Sequence, residues 1–111
     1  NIPFIINDEE TVDSCIYLAV WADGKKITTV EGLTPENGLS DVQESFVEEG
    51  AVQCGYCTPG LIVSSTFLLE KNPHPTEAEI RRGISGNLCR CTGYTKIIKA
   101  VERTINLRDN K

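Results

Sequence analysis

Two stretches, VQCGYCTPG (residues 52–60) and NLCRCTGY (residues 87–94), decide how this chain folds. Each sets two cysteines on a single turn, Cys54 and Cys57 as C-x-x-C and Cys89 and Cys91 as C-x-C. Each is followed at once by a threonine and a helix-forming run. The same device used twice in a short chain predicts that all four thiols meet at one site and staple two helix starts together. Thr58 and Thr92 read as N-caps, with Pro59 fitted to the first helical position. Helix N-termini present free amide groups and positive dipole ends, so the thiol pKa values there are expected to fall toward thiolate, the metal-binding form.

Working outward, residues 59–71 are apolar on most sides, which marks a buried helix. Before it, Leu39, Val42, Phe46 and Val47 recur at helical spacing over 39–50, with Gly50 as the stop. NPHPT breaks the buried helix, and Thr76 caps a short one with Glu77 and Glu79 in its first turn, ended by Gly83 and Gly86. A last helix over about 94–106 carries Ile97, Ile98, Val101 and Ile105 on one face. Ahead of residue 34 the character is β: a strand at 4–7, an acidic turn, a return at 11–15 and a β-branched strand at 26–31. The stretch CIYLAVWA between them is ambiguous between strand and helix. The expected fold is mainly α, a four-helix bundle-like domain over 34–111 preceded by a short β unit over 1–33.

The chain has 111 residues and a net charge of −5, which speaks against a phosphate-binding face and a nucleic-acid partner. No apolar run approaches the roughly 20 residues of a membrane span, and no charged leader precedes an apolar segment, so neither a span nor an export signal is expected. Five cysteines, an odd count, carried on helical patterns do not suggest a secreted disulfide framework. Reduced thiols serving as ligands in the cytoplasm are the expectation. The chain opens on NIPFIIND without methionine, and reads as the interior of something longer.

For the four thiols, zinc and an iron–sulfur cluster both remain open. Zinc takes four-thiolate sites with C-x(2–4)-C pairs, which suits Cys54/Cys57 better than Cys89/Cys91. A two-iron cluster spreads its thiolates over two metals, so the tight C-x-C pair becomes reasonable.

GAVQCGYCTPG followed about thirty residues later by SGNLCRCTGY resembles the iron–sulfur subunit of the molybdenum hydroxylases, the xanthine oxidase family, over residues 11–102. The resemblance implies iron: a [2Fe-2S] cluster held by Cys54, Cys57, Cys89 and Cys91, next to a molybdopterin cofactor in a separate large subunit. It implies that Gln53 meets the pterin, and that Cys91 lies on the route by which electrons leave it. A glutamine offers both donor and acceptor to a heterocycle edge. The plainer alternative for Gln53 is a turn residue satisfying local backbone. Electrons would pass on to an FAD-binding medium subunit or an external acceptor.

Members of that family usually carry an N-terminal ferredoxin domain with a second cluster. VDSC (12–15) resembles the segment bearing its fourth ligand, and the third would fall near Pro3. Residues 1–33 thus resemble a remnant of that ferredoxin-like domain, whose other half is either absent from this stretch or has lost its cluster; one cluster is expected, with Cys15 a small buried residue. A different reading, a non-redox helical module with structural zinc or a degenerate assembly subunit, is kept open by that departure. His74 reads as a solvated loop residue, Arg90 as either a tuner of the cluster or an exposed arginine, and Glu44, Glu48 and Glu49 as a solvated helix face. Tyr17 and Trp21 are expected to pack on the β unit or to line the interface where a ferredoxin half would sit. Nothing resembles a catalytic triad, phosphate loop or paired-carboxylate site, so no bond chemistry is expected within the chain.

Overall fold

A computed structural model describes residues 3–90 and 92–110. The chain opens with strands β1 (Pro3–Ile6) and β2 (Glu10–Asp13), paired antiparallel with Phe4 opposite Val12 and Ile5 opposite Thr11. Asn7 and Asp8 reverse the chain between them at φ of 51° and 58°. Two successive positive φ values match the right-handed twist of the flanking strands, and Asn and Asp tolerate them best among residues with a Cβ. A third strand, β3 (Ile27–Thr28), pairs antiparallel with the other edge of β1, giving the order β2-β1-β3. Asn7 fixes its entry, donating its N–H to Lys26 O and accepting the Lys26 N–H on Oδ1, each at 2.8 Å.

The strand expected over 26–31 is thus only two residues long. After Thr29, an extended residue, the chain turns into a short helix, α1 (Val30–Leu33), with Glu31 in its first turn. β-branching in ITTV favours a strand, but position and the dipole-compatible glutamate decide for a helical turn. The ambiguous stretch CIYLAVWA forms neither regular element. It makes two 3-10 turns, Ser14–Ile16 and Ala19–Ala22. Tyr17 packs edge-on against Phe4 of β1 at 5.5 Å between ring centres and against Trp21 at 5.3 Å, as expected for aromatics covering the small sheet.

Four longer helices follow: α2 (Asp41–Glu48), α3 (Thr58–Lys71), α4 (Glu77–Gly83) and α5 (Thr95–Asp109). Ser40 and Gln43 form a capping box on α2, and Thr76 and Glu79 form another on α4, each satisfying two orphan amides reciprocally. Leu39 precedes the cap and is exposed rather than part of the helical face. Gly50, at φ +67°, ends α2: its N–H bonds Val47 O, and the Ala51 N–H reaches back to Phe46 O.

The sheet, α1, α2 and α4 all pack on α3, and α5 closes the other side of α2 and α4. Val42, Phe46, Leu61, Leu69, Ile80, Ile97 and Val101 form the centre of the core. Far from the cysteines, Arg108 of α5 forks onto Asp41 at the start of α2, with Nε–Oδ2 at 2.6 Å and Nη2–Oδ1 at 3.1 Å. That carboxylate holds the guanidinium pKa above its ordinary value.

Two substitutions separate packing from backbone strain. Phe46→Ala leaves a cavity in a fully buried position and is expected to cost about 3–5 kcal/mol in urea unfolding followed by circular dichroism. Gly50→Ala meets only the flexible end of Lys96, so its cost is the left-handed backbone alone, about 1 kcal/mol.

Candidate metal centre

The first cysteine turn lies between the end of α2 and the start of α3. Gly55, at φ +86°, lets the chain double back between Cys54 and Cys57, and Cys57 itself is the N-cap residue of α3. Thr58 and Pro59 occupy the first two helical positions. Thr58 is therefore not the cap that its residue type suggested: its buried Oγ1 finds no partner among the described residues. The turn is closed by backbone, with Thr58 N bonding Gly55 O at 3.3 Å and Leu61 N bonding Cys57 O at 3.1 Å.

The second turn is held from three sides. Buried Asn87 donates from Nδ2 to Ser64 Oγ on α3 at 2.8 Å and to Ile84 O at 3.4 Å. The Tyr94 hydroxyl accepts the Cys89 N–H at 2.7 Å and lies 3.3 Å from Asn87 O, to which it donates. Gly93 and Tyr94 both adopt left-handed backbone, at φ 66° and 70°, before α5 begins at Thr95. A tyrosine in that region is held there by its surroundings, here by the two hydrogen bonds of its hydroxyl. Thr92 does not cap α5 either. It folds back, its Oγ1 accepting the Tyr94 N–H at 3.2 Å.

Together the two turns bring Cys54, Cys57 and Cys89 to one cleft of about 470 Å³, which Tyr56, Leu88, Arg90 and Tyr94 also line. Cys57 and Cys89 come within hydrogen-bonding reach, although 32 positions separate them in the chain (89 − 57). Cys91 lies outside the described residues. Gln53 is exposed immediately before Cys54, and Arg90 is exposed as well. A neighbouring cleft of about 520 Å³ runs past Tyr56, Pro59, Asn87 and Leu88. Around these openings Tyr56 is 88% and Leu88 86% exposed, so large apolar side chains stand in solvent at the rim.

The expected fall in thiol pKa does not hold at Cys57, which is pushed up to about 11. Burial is the largest cause, then the Cys89 thiol as hydrogen-bond and charge neighbour; the backbone amide that helix position offers is outweighed. Packed thiols cannot ionise side by side without a cation among them. Metal binding here must therefore displace protons and strengthen as pH rises. Among the described residues, no three His, Cys, Asp or Glu side chains gather tightly enough for one ion. A two-iron cluster asks for less convergence, because each iron takes two of the thiolates. The donor set of soft sulfurs in a half-buried cleft fits such a group.

Elsewhere, Cys15 is exposed on its 3-10 turn rather than buried, because that turn lies along the sheet margin with no buried side chain. His74 is exposed as expected but also pairs with Asp109, Nε2 to Oδ1, at 2.7 Å. Glu44 and Glu48 are solvated, while Glu49 reaches Arg103 at 3.5 Å. The cysteine spacing gave no hint of Asn87, Thr92 and Tyr94 as a scaffold for Cys89. The signal available was a polar side chain two or three residues from the thiol, at Asn87 and Thr92, and an aromatic hydroxyl five residues on, at Tyr94.

These features gather three of the four paired cysteines in one cleft beside the start of α3. Residues 29–102 match the family described as the [2Fe-2S] binding domain, and the chain belongs to that family. It is 52% identical over 99 residues to the xanthine dehydrogenase iron-sulfur-binding subunit of Escherichia coli O157:H7, covering 87% of this chain and 62% of that relative. It is 50% identical over 101 residues to the nicotinate dehydrogenase small FeS subunit of Eubacterium barkeri, covering 91% of this chain and 64% of the other. The fold superposes on quinoline 2-oxidoreductase from Pseudomonas putida 86 with a TM-score of 0.88 and 40% identity, over 97% of this chain and 67% of that one. The chain thus spans less than two thirds of the two curated relatives. The helical cluster-binding architecture expected from the sequence is the one observed, with α1 added.

Tyr94→Phe removes the acceptor of the Cys89 N–H and should cost about 1–3 kcal/mol where that amide stays buried. The measurement is retention of iron against a chelator: the variant is expected to keep its helical signal and to lose iron several-fold faster.

Proposed function

We propose that the chain is the electron-transfer component of a molybdopterin-dependent hydroxylase or dehydrogenase, with one [2Fe-2S] cluster held by Cys54, Cys57, Cys89 and Cys91. The observation that carries this reading is the meeting of Cys57 and Cys89, from two turns distant in the chain, beside Cys54 in a single cleft. Bound there, the cluster supplies one-electron storage between a substrate-oxidising partner and an acceptor. The protein's part is to hold the sulfurs, keep the centre half-buried and present a rim to the partner.

Gln53, exposed beside Cys54, is proposed to meet the pterin, with Cys91 on the electron path from it. The partners are then a molybdopterin-binding large subunit and an FAD-binding medium subunit, in the cytoplasm where thiols stay reduced. Apolar Tyr56 and Leu88 at the rim suit burial against such a partner. We assign residues 1–33 to a remnant of a plant-type ferredoxin-like β domain and 34–111 to the helical [2Fe-2S]-binding domain; β1, β2 and β3 lie in the first and α2 to α5 in the second. Among the described residues no helix is long and apolar enough to cross a membrane.

Single substitutions test the ligand set. Serine at Cys54, Cys57, Cys89 or Cys91 is expected to abolish or strongly alter the electron paramagnetic resonance signal of the dithionite-reduced protein, whereas Cys15→Ser leaves it unchanged. A signal untouched by Cys57→Ser and Cys89→Ser would refute the assignment. Gln53→Ala should keep the signal and weaken co-purification with the molybdopterin-bearing subunit.

A further inference from the structure

Thr92 occupies a position that no ligand assignment uses. Its Oγ1 lies 3.1 Å from Cys89 Sγ and its backbone N 3.4 Å from the same sulfur, both as donors. The same Oγ1 accepts the Tyr94 N–H at 3.2 Å. That acceptance orients the hydroxyl: with its lone pair engaged by an amide, its proton is left for the sulfur. The relay from Tyr94 N–H through Thr92 O–H to Cys89 Sγ is fixed by the left-handed pair Gly93 and Tyr94, which folds the chain back on itself. The threonine after the other cysteine pair does not do this. Thr58 Oγ1 is buried and bonds no described group, so the two Cys-Thr steps are chemically unequal.

We propose that Thr92 is a positioning residue that sets the reduction potential of the cluster by donating its hydroxyl hydrogen bond to Cys89 Sγ. This rests on the reading of Cys89 as a ligand. Hydrogen bonds to cluster sulfurs are among the levers on potential. The reduced cluster carries one more negative charge than the oxidised cluster, so its sulfurs accept more strongly, and a fixed donor favours the reduced form. In the step itself one electron enters from a one-electron donor, dithionite in the test, and one iron(III) becomes iron(II). No bond forms or breaks, and the proton stays on Thr92 Oγ1.

The test is a redox titration of the cluster-loaded full chain, wild type beside Thr92→Val and Thr92→Ser, monitored by electron paramagnetic resonance. Thr92→Val keeps the shape and removes the hydroxyl. It is expected to move the midpoint to more negative potential, changing the ratio of reduced to oxidised cluster at a fixed poise about tenfold, which is about 59 mV for a one-electron couple. Thr92→Ser keeps the donor and stays near wild type. Resonance Raman supplies a second readout: the shift of the Fe–Sγ stretching bands on exchange into D2O shrinks in Thr92→Val and persists in Thr92→Ser. An unchanged midpoint in Thr92→Val overturns the proposal, as does an equal shift in Thr92→Ser, which would place the effect in packing. Failure of the ligand reading looks different: the wild-type chain then shows no cluster signal, and both fall together.

Discussion

A helix apolar on nearly every face has to be covered on every face, and α3 imposes that requirement on the rest of the chain. Leu61, Ile62, Val63 and Leu69 point in different directions around it and are all buried. The small sheet, α1, α2 and α4 each supply part of the cover. At roughly 25 cal/mol per Å² of apolar surface removed from water, burying these side chains is a strong incentive to assemble. Its N-terminus bears Cys57 at the cap, and its middle turn bears Ser64, to which Asn87 is bonded. Covering α3 therefore fixes both cysteine turns relative to the same rigid rod.

The geometry of the centre follows from that arrangement together with a few costly backbone conformations. Gly55 and Gly93 adopt left-handed values open to glycine at little cost, and Tyr94 adopts one that costs a residue with a side chain. The hydroxyl of Tyr94 offsets its cost by holding the Cys89 amide, and the same loop returns Thr92 to the Cys89 sulfur. Burial then brings Cys57 against Cys89 and raises its pKa to about 11, so the thiols are arranged for a cation that the chain alone does not provide.

Much of this is legible in the residues. Gly50 as a helix stop, Thr76 with Glu79 as a capping pair, and the apolar run of α3 each combine a local rule with the tertiary need, so periodicity and caps suffice. Failures occur where a residue type has two local uses. Thr58 and Thr92 are good N-cap residues by type, yet Cys57 caps α3, and Thr92 serves a sulfur, because the turn closes on cysteine positions instead. Strand-like ITTV becomes two strand residues and a helical turn, since only Ile27 and Thr28 have β1 to pair with. The thiol pKa went the other way because helix position is local, whereas the Cys89 neighbour and burial arise only in the folded chain. Likewise, no spacing rule links Tyr94 to the Cys89 amide.

Iron, acid-labile sulfide and zinc, determined per chain on protein purified without oxygen, test the central claim most directly. The account predicts iron and sulfide in equal amounts, with little zinc. Zinc at one per chain, with no sulfide, would contradict it and make the meeting of Cys57 and Cys89 a structural staple.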